Sequence, residues 1–129
     1  MKNNSWKLKA CIGLVGICFC LSVFGQLSIL PQVPAAPSNL TAKSASSTQI
    51  DLAWKDNSAN ETNFKIYRST AGGPDSLIAT VAANVTSYSD KTVVINKTYT
   101  YRLSAVNAGG SSPWSNTATT TVVSLMISK

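Results

Sequence analysis

Histidine is absent from the 129 residues, and the three cysteines, Cys11, Cys18 and Cys20, all fall within the first twenty. The first absence removes the commonest general base and the commonest metal ligand together. The second leaves everything after Cys20 without a thiol nucleophile, a thiolate metal site or a disulfide, so any folded domain there is held by packing alone. Acidic residues are equally sparse: Asp51, Asp56, Glu61, Asp75 and Asp90 are the only five, and only Asp56 and Glu61 share a loop. A serine nucleophile without histidine needs a lysine base, and no Ser-x-x-Lys occurs after residue 30. Gly109-Gly110 opens no helix and so is a turn, not a phosphate loop. Catalysis therefore has few means here; no catalytic residue, metal ligand or cofactor-binding residue is expected.

Basic charge is present but dispersed. Of the formal +6, Lys2, Lys7 and Lys9 lie at the extreme N-terminus, and a chain beginning at Gln26 carries eight basic against five acidic side chains. Those eight are scattered singly, with no stripe to track a phosphate backbone, which excludes nucleic acid as a partner.

The three lysines precede fourteen uncharged residues, Cys11 to Phe24, and Val23-Phe24-Gly25 offers small residues at the two positions that matter before a cut at Gly25. This is the layout of a secretory signal peptide over residues 1–25. The alternative is an uncleaved anchor over residues 11–30, the only route by which this chain would engage a membrane; both readings export the remainder of the chain. Cys20 is a poor lipidation site because Phe19, not a small residue, precedes it.

Pro31, Pro34 and Pro37 recur every third residue, which suits a polyproline II linker over 26–36 or a lead into a first strand. Beyond it the apolar residues alternate with period two. Ile50, Leu52 and Trp54 share one face, Phe64 and Ile66 another, and Tyr99, Tyr101, Leu103 and Ala105 form an inward row. Seven strands are predicted near 40–46, 48–55, 63–69, 76–82, 85–89, 98–107 and 116–123, separated by turn residues such as Gly72-Gly73-Pro74 and Asn107-Ala108-Gly109-Gly110. Such a series suggests an all-β sandwich of two antiparallel sheets spanning 37–124, with a tail at 125–129.

Pro-Ser-Asn-Leu-Thr-Ala at the entry, Ile-Asp-Leu-Ala-Trp, Phe-Lys-Ile-Tyr-Arg-Ser and Tyr-Thr-Tyr-Arg-Leu-Ser-Ala-Val-Asn-Ala-Gly-Gly-Ser together resemble a fibronectin type III domain over about Pro34 to Val123. An immunoglobulin domain would carry cysteine where Tyr101 stands. The resemblance implies a seven-stranded immunoglobulin-like sandwich with Trp54 in the core and Tyr99 as a tyrosine corner whose hydroxyl returns to upstream backbone. It also implies binding, adhesion or spacing rather than catalysis, and leaves the partner, an extracellular protein or a polysaccharide, open. The expected function is that of an exported module of the cell surface or extracellular space, or else an accessory domain of a larger secreted carbohydrate-active or proteolytic enzyme.

Within that frame Gly109 and Gly110 are expected at positive φ, and Asp56-Asn-Ser-Ala-Asn-Glu61 as a hydrated turn. Trp114 either packs on the sandwich or forms an exposed platform with Tyr67 or Tyr88. Thr117 to Val123 is a candidate free edge for another chain. Asn39, Asn60, Asn84 and Asn96 each head an Asn-x-Thr acceptor pattern, in a chain rich in both residues.

Overall fold

The computed structural model describes residues 31–124 and, by itself, a short antiparallel pair, Ile12–Gly13 with Gly16–Ile17. Most of the expected signal peptide, including the cut after Gly25 and the three cysteines, and the tail 125–129 lie outside the described residues. Among the described residues no helix is long and apolar enough to cross a membrane.

The domain is built from eight strands: β1 (Ser38–Ser46), β2 (Gln49–Lys55), β3 (Asn63–Thr70), β4 (Ser76–Ala82), β5 (Ser87–Asp90), β6 (Thr98–Asn107), β7 (Gly110–Ser111) and β8 (Ala118–Thr121). They form two antiparallel sheets, β8-β6-β3-β4 with β7 beside β6, and β1-β2-β5. Alternation decides which side of each strand is buried: in β2, Ile50, Leu52 and Trp54 are buried while Asp51, Ala53 and Lys55 are exposed. Register then stacks these rows, with Phe64 opposite Ala105 and Ile66 opposite Leu103. Ile50, Leu52, Trp54, Ile66, Tyr99, Tyr101 and Leu103 all belong to one buried cluster with Leu40, Phe64, Val93, Ala105 and Val122. Trp54 meets Phe64 edge-on, ring centroids 5.8 Å apart, an arrangement that places a positive ring edge on a negative face. The Tyr99 hydroxyl accepts from the Val94 N–H at 2.9 Å, completing the corner upstream of β6.

The last part of the fold departs from the expected strand over 116–123. Pro113 has no N–H to give a ladder, and β6 is instead satisfied by side chains. The Ala105 N–H donates to Ser112 Oγ at 3.0 Å, and the Leu103 N–H to Ser115 Oγ at 3.1 Å. In return the N–H groups of Ser112 and Ser115 donate to the carbonyls of Ala105 and Leu103. Regular pairing resumes only at Ala118, opposite Tyr101. Of the two glycines expected at positive φ only Gly110 adopts it, at +132°, while the Gly109 N–H closes a turn on Asn107 Oδ1.

Three of the four Asn-x-Thr asparagines explain themselves conformationally. Asn39, Asn84 and Asn96 have φ of 55°, 65° and 63°, a region that asparagine tolerates better than other residues with a Cβ. Ala71, at φ 47° in the Thr70–Gly73 turn, has no such excuse. Ala71→Gly should raise stability by about 0.5–1 kcal/mol, the relief of left-handed strain less the added freedom of the unfolded chain. Chemical denaturation of the two proteins side by side measures it, and a destabilised variant would refute the strain argument.

The residues ahead of β1 are docked rather than free. Pro34 and Pro37 are buried, and the Gln32 carbonyl accepts from the side-chain amides of Asn60 and Asn107, at 3.0 and 2.7 Å.

Candidate functional site

Tyr67, on β3, and Arg102, on β6, are register partners, and Leu77, on β4, lies opposite Tyr67 from the other side. The three form a row across the larger sheet's outer face. Trp114, released from the ladder by the serine-mediated pairing around it, folds onto this row. Its ring meets Tyr67 at 5.1 Å with the planes at 86°, and the Arg102 guanidinium carbon lies 4.1 Å from the indole centroid. Asp75 pairs with Arg102 and holds the cation in place. Both sequence readings of Trp114 therefore describe part of the arrangement: the indole is packed on Tyr67 and Arg102, and it remains 44% exposed. Tyr88 is not part of it, for it sits on β5 opposite Leu52 and packs against the core.

The polar groups around Trp114 are occupied by the fold itself. Ser112 and Ser115 serve β6, and Asn116 serves β1: its Oδ1 accepts from the Leu40 N–H and its Nδ2 donates to the Leu40 carbonyl, both at 2.9 Å. Asn116 thereby imitates a peptide unit and joins the two sheets at the side where β1 and β8 meet. Asn116→Ala leaves both backbone groups of Leu40 without this partner and should cost about 1–3 kcal/mol in equilibrium unfolding; a loss under a few tenths would mean that water replaces the amide.

Glu61 corrects the expectation of a hydrated turn. It is only 8% exposed, and its Oε1 accepts from the Asn84 N–H at 3.1 Å, tying the loop after β2 to the turn after β4. Burial presses its pKa upward, but the backbone N–H groups of Glu61 and Asn84 prevail and hold it below the usual value. A general acid needs the opposite shift. Among the described residues no group of three or more acidic, cysteine or histidine side chains is placed to hold a metal ion. A shallow hollow lined by Thr70, Ala71, Asn96, Lys97 and Thr98 lies where β3 ends and β6 begins.

Sequence reasoning missed the polar clasp at Asp90. This residue ends β5 at 1% exposure, and its carboxylate accepts from Arg68 Nη1 at 2.7 Å, the Tyr101 hydroxyl at 2.9 Å and both the N–H and hydroxyl of Thr92. Arg68 and Tyr101 come from the opposite sheet, so one carboxylate ties the sandwich together. The Arg68 guanidinium also lies over the Tyr99 ring at 5.0 Å.

Two packed antiparallel sheets, a core tryptophan on the second strand and a tyrosine corner at the start of the sixth define an immunoglobulin-like β-sandwich. Residues 35–121 match the fibronectin type III domain model, and the chain belongs to that family. A Fn3-like protein from Clostridium thermocellum is 31% identical with a TM-score of 0.58, over 68% of this chain and 92% of that one. A β-1,2-glucanase from Parabacteroides distasonis is 28% identical with a TM-score of 0.65; the match covers 75% of this chain but 14% of the enzyme. Titin domains A168–A170 share the fold at 19% identity and a TM-score of 0.63, over 71% of this chain and 33% of that one. No curated protein sequence matches the chain.

Proposed function

We propose that this chain is an exported, non-catalytic fibronectin type III module that makes contacts at the cell surface or in the extracellular space. Export rests on the three lysines and the uncharged run Cys11 to Phe24. The contact role rests on one observation: Trp114 keeps 44% of its surface exposed while Tyr67, Arg102 and Asp75 hold it in a fixed orientation. A rigid, half-exposed aromatic beside a cation is the kind of anchor that dominates protein contacts and also stacks on sugar rings. The likeness to one segment of a β-1,2-glucanase favours a second reading, in which the module accompanies a secreted carbohydrate-active enzyme and Trp114 touches the polysaccharide.

The test is binding of the full chain to a panel of soluble polysaccharides and surface proteins, with Trp114→Ala alongside. The variant should stay folded, losing about 1–2 kcal/mol of stability as the ring and cation contacts vanish, and should lose binding at least tenfold. Unchanged binding by the variant would remove Trp114 from the reading. Export is tested separately by the intact mass of the chain in medium and membrane fractions: a species starting at Gln26 supports cleavage, one retaining Met1 supports an anchor, and a full-length cytoplasmic species refutes export.

A further inference from the structure

Asp56 and Glu61 approach one another in the loop after β2, and one oxygen of the pair is stranded. Glu61 Oε1 accepts from the Asn84 N–H at 3.1 Å, but Oε2 is buried and has no hydrogen-bond partner among the described residues, although the whole side chain is only 8% exposed. The side chain of Asp56 stands within hydrogen-bonding reach of the same carboxylate. Asp56 uses Oδ1 to accept from the Ser58 N–H at 2.9 Å. Ionised carboxylates are acceptors only, so they cannot satisfy each other, and their repulsion is strongest where water is excluded. Positive charge must lie between them, as a proton or as a cation. The chain's own cations are engaged elsewhere: among the described residues the ion pairs are Arg68 with Asp90 and Arg102 with Asp75. A proton is poorly held on Glu61 at neutral pH, because the N–H groups directed at it favour the ionised form.

We infer that Asp56 and Glu61 form a site for one calcium ion, with Glu61 Oε2 as the inner ligand and the Asp56 carboxylate as the outer one. The donors are carboxylate oxygens, the hard ligands that calcium takes and that softer transition metals do not select. Their two negative charges match the ion's two positive ones. Ser58 and Asn60 add no ligand, since the Ser58 hydroxyl donates to Asn60 Oδ1 at 2.8 Å; water completes the shell from the side of Asp56, which is only partly buried. Magnesium fits less well, because it demands near-ideal octahedral geometry while the bond to Asn84 fixes Glu61. A site with two charged ligands is weak, in the range of about 0.1–1 mM that serves extracellular modules. The ion neutralises the stranded oxygen and so firms the tie that Glu61 makes between the loop after β2 and the turn after β4.

Thermal unfolding of the full-length chain in chelator, in calcium chloride and in sodium chloride of matched ionic strength tests this, beside calorimetric titration of calcium. At about ten times its dissociation constant, calcium should raise the folding constant roughly tenfold and the midpoint by several degrees, with one ion bound per chain and a smaller response to magnesium. Glu61→Gln keeps an oxygen for the Asn84 N–H and sets an amide donor toward Asp56 in place of the ion. It should fold in chelator at least as stably as the wild type and gain nothing from calcium. Asp56→Asn should lose the gain as well, whereas Asp51→Asn, on the exposed side of β2, should keep it. A wild type whose midpoint is the same in calcium and in matched sodium chloride overturns the inference, since a proton or water then serves the stranded oxygen. So does a calcium gain that Glu61→Gln and Asp56→Asn both retain, which would place the ion elsewhere. The pair shares no residue with the Trp114 site, so calcium binding and ligand binding fail independently.

Discussion

Asp90→Ala should destabilise the domain by about 3–5 kcal/mol, the cost of leaving a partly buried cation without its counter-charge. The carboxylate has four hydrogen bonds, and removing it strands the Arg68 guanidinium and the buried Tyr101 hydroxyl at once. Equilibrium urea unfolding measures the loss, and a change below about 1 kcal/mol would show that the clasp is dispensable. Acid offers the same test without mutation. Burial alone would raise the pKa of Asp90, but the bonds from Thr92, Arg68 and Tyr101 outweigh it and hold the group below its ordinary value of 3.8. A carboxyl depressed by folding contributes in full above its unfolded pKa and loses that contribution as pH falls through the folded one. Wild-type stability should therefore decline below about pH 4, and Asp90→Asn should flatten the decline. Burial and the bond to Asp90 push the Tyr101 phenol far above its ordinary range, so this pair keeps its form through alkaline pH.

Trp54→Ala should cost about 3–5 kcal/mol, enough to unfold the domain or nearly so. The ring is 6% exposed and fills the space between the sheets against Phe64. Its Nε1 is buried without a hydrogen-bond partner, which makes the comparison with Trp54→Phe informative. Phenylalanine keeps an aromatic surface against Phe64 and removes the unpaired donor, so it should cost less than half as much. A loss for Trp54→Phe as large as that for Trp54→Ala would overturn this ordering.

Strand faces were legible wherever one side alone is buried, as at Ile50, Leu52 and Trp54, because alternation is a local property of the chain. The segment after β6 was not. Ser112, Ser115 and Asn116 act there as substitute backbone, and hydropathy cannot distinguish a hydroxyl that accepts from Leu103 from one that accepts from water. Asp90 reads in the sequence only as the end of the fifth strand, because its partners Tyr101 and Arg68 stand 11 and 22 residues away. For the candidate site, Trp114 and Tyr67 were found by residue type, whereas Arg102 and Asp75, which fix the indole, emerge only from register. Tyr88 looked equivalent to Tyr67 until the sheets separated them.

Asn116 has a mechanical consequence. β1 and β8 lie side by side on neighbouring borders of the two sheets, so tension applied between the segment before β1 and the segment after β8 bears on the junction between them. The two bonds from Asn116 to Leu40 cross that junction, so both must break for it to open there. A module built this way would meet stretching with a single asparagine near its entry.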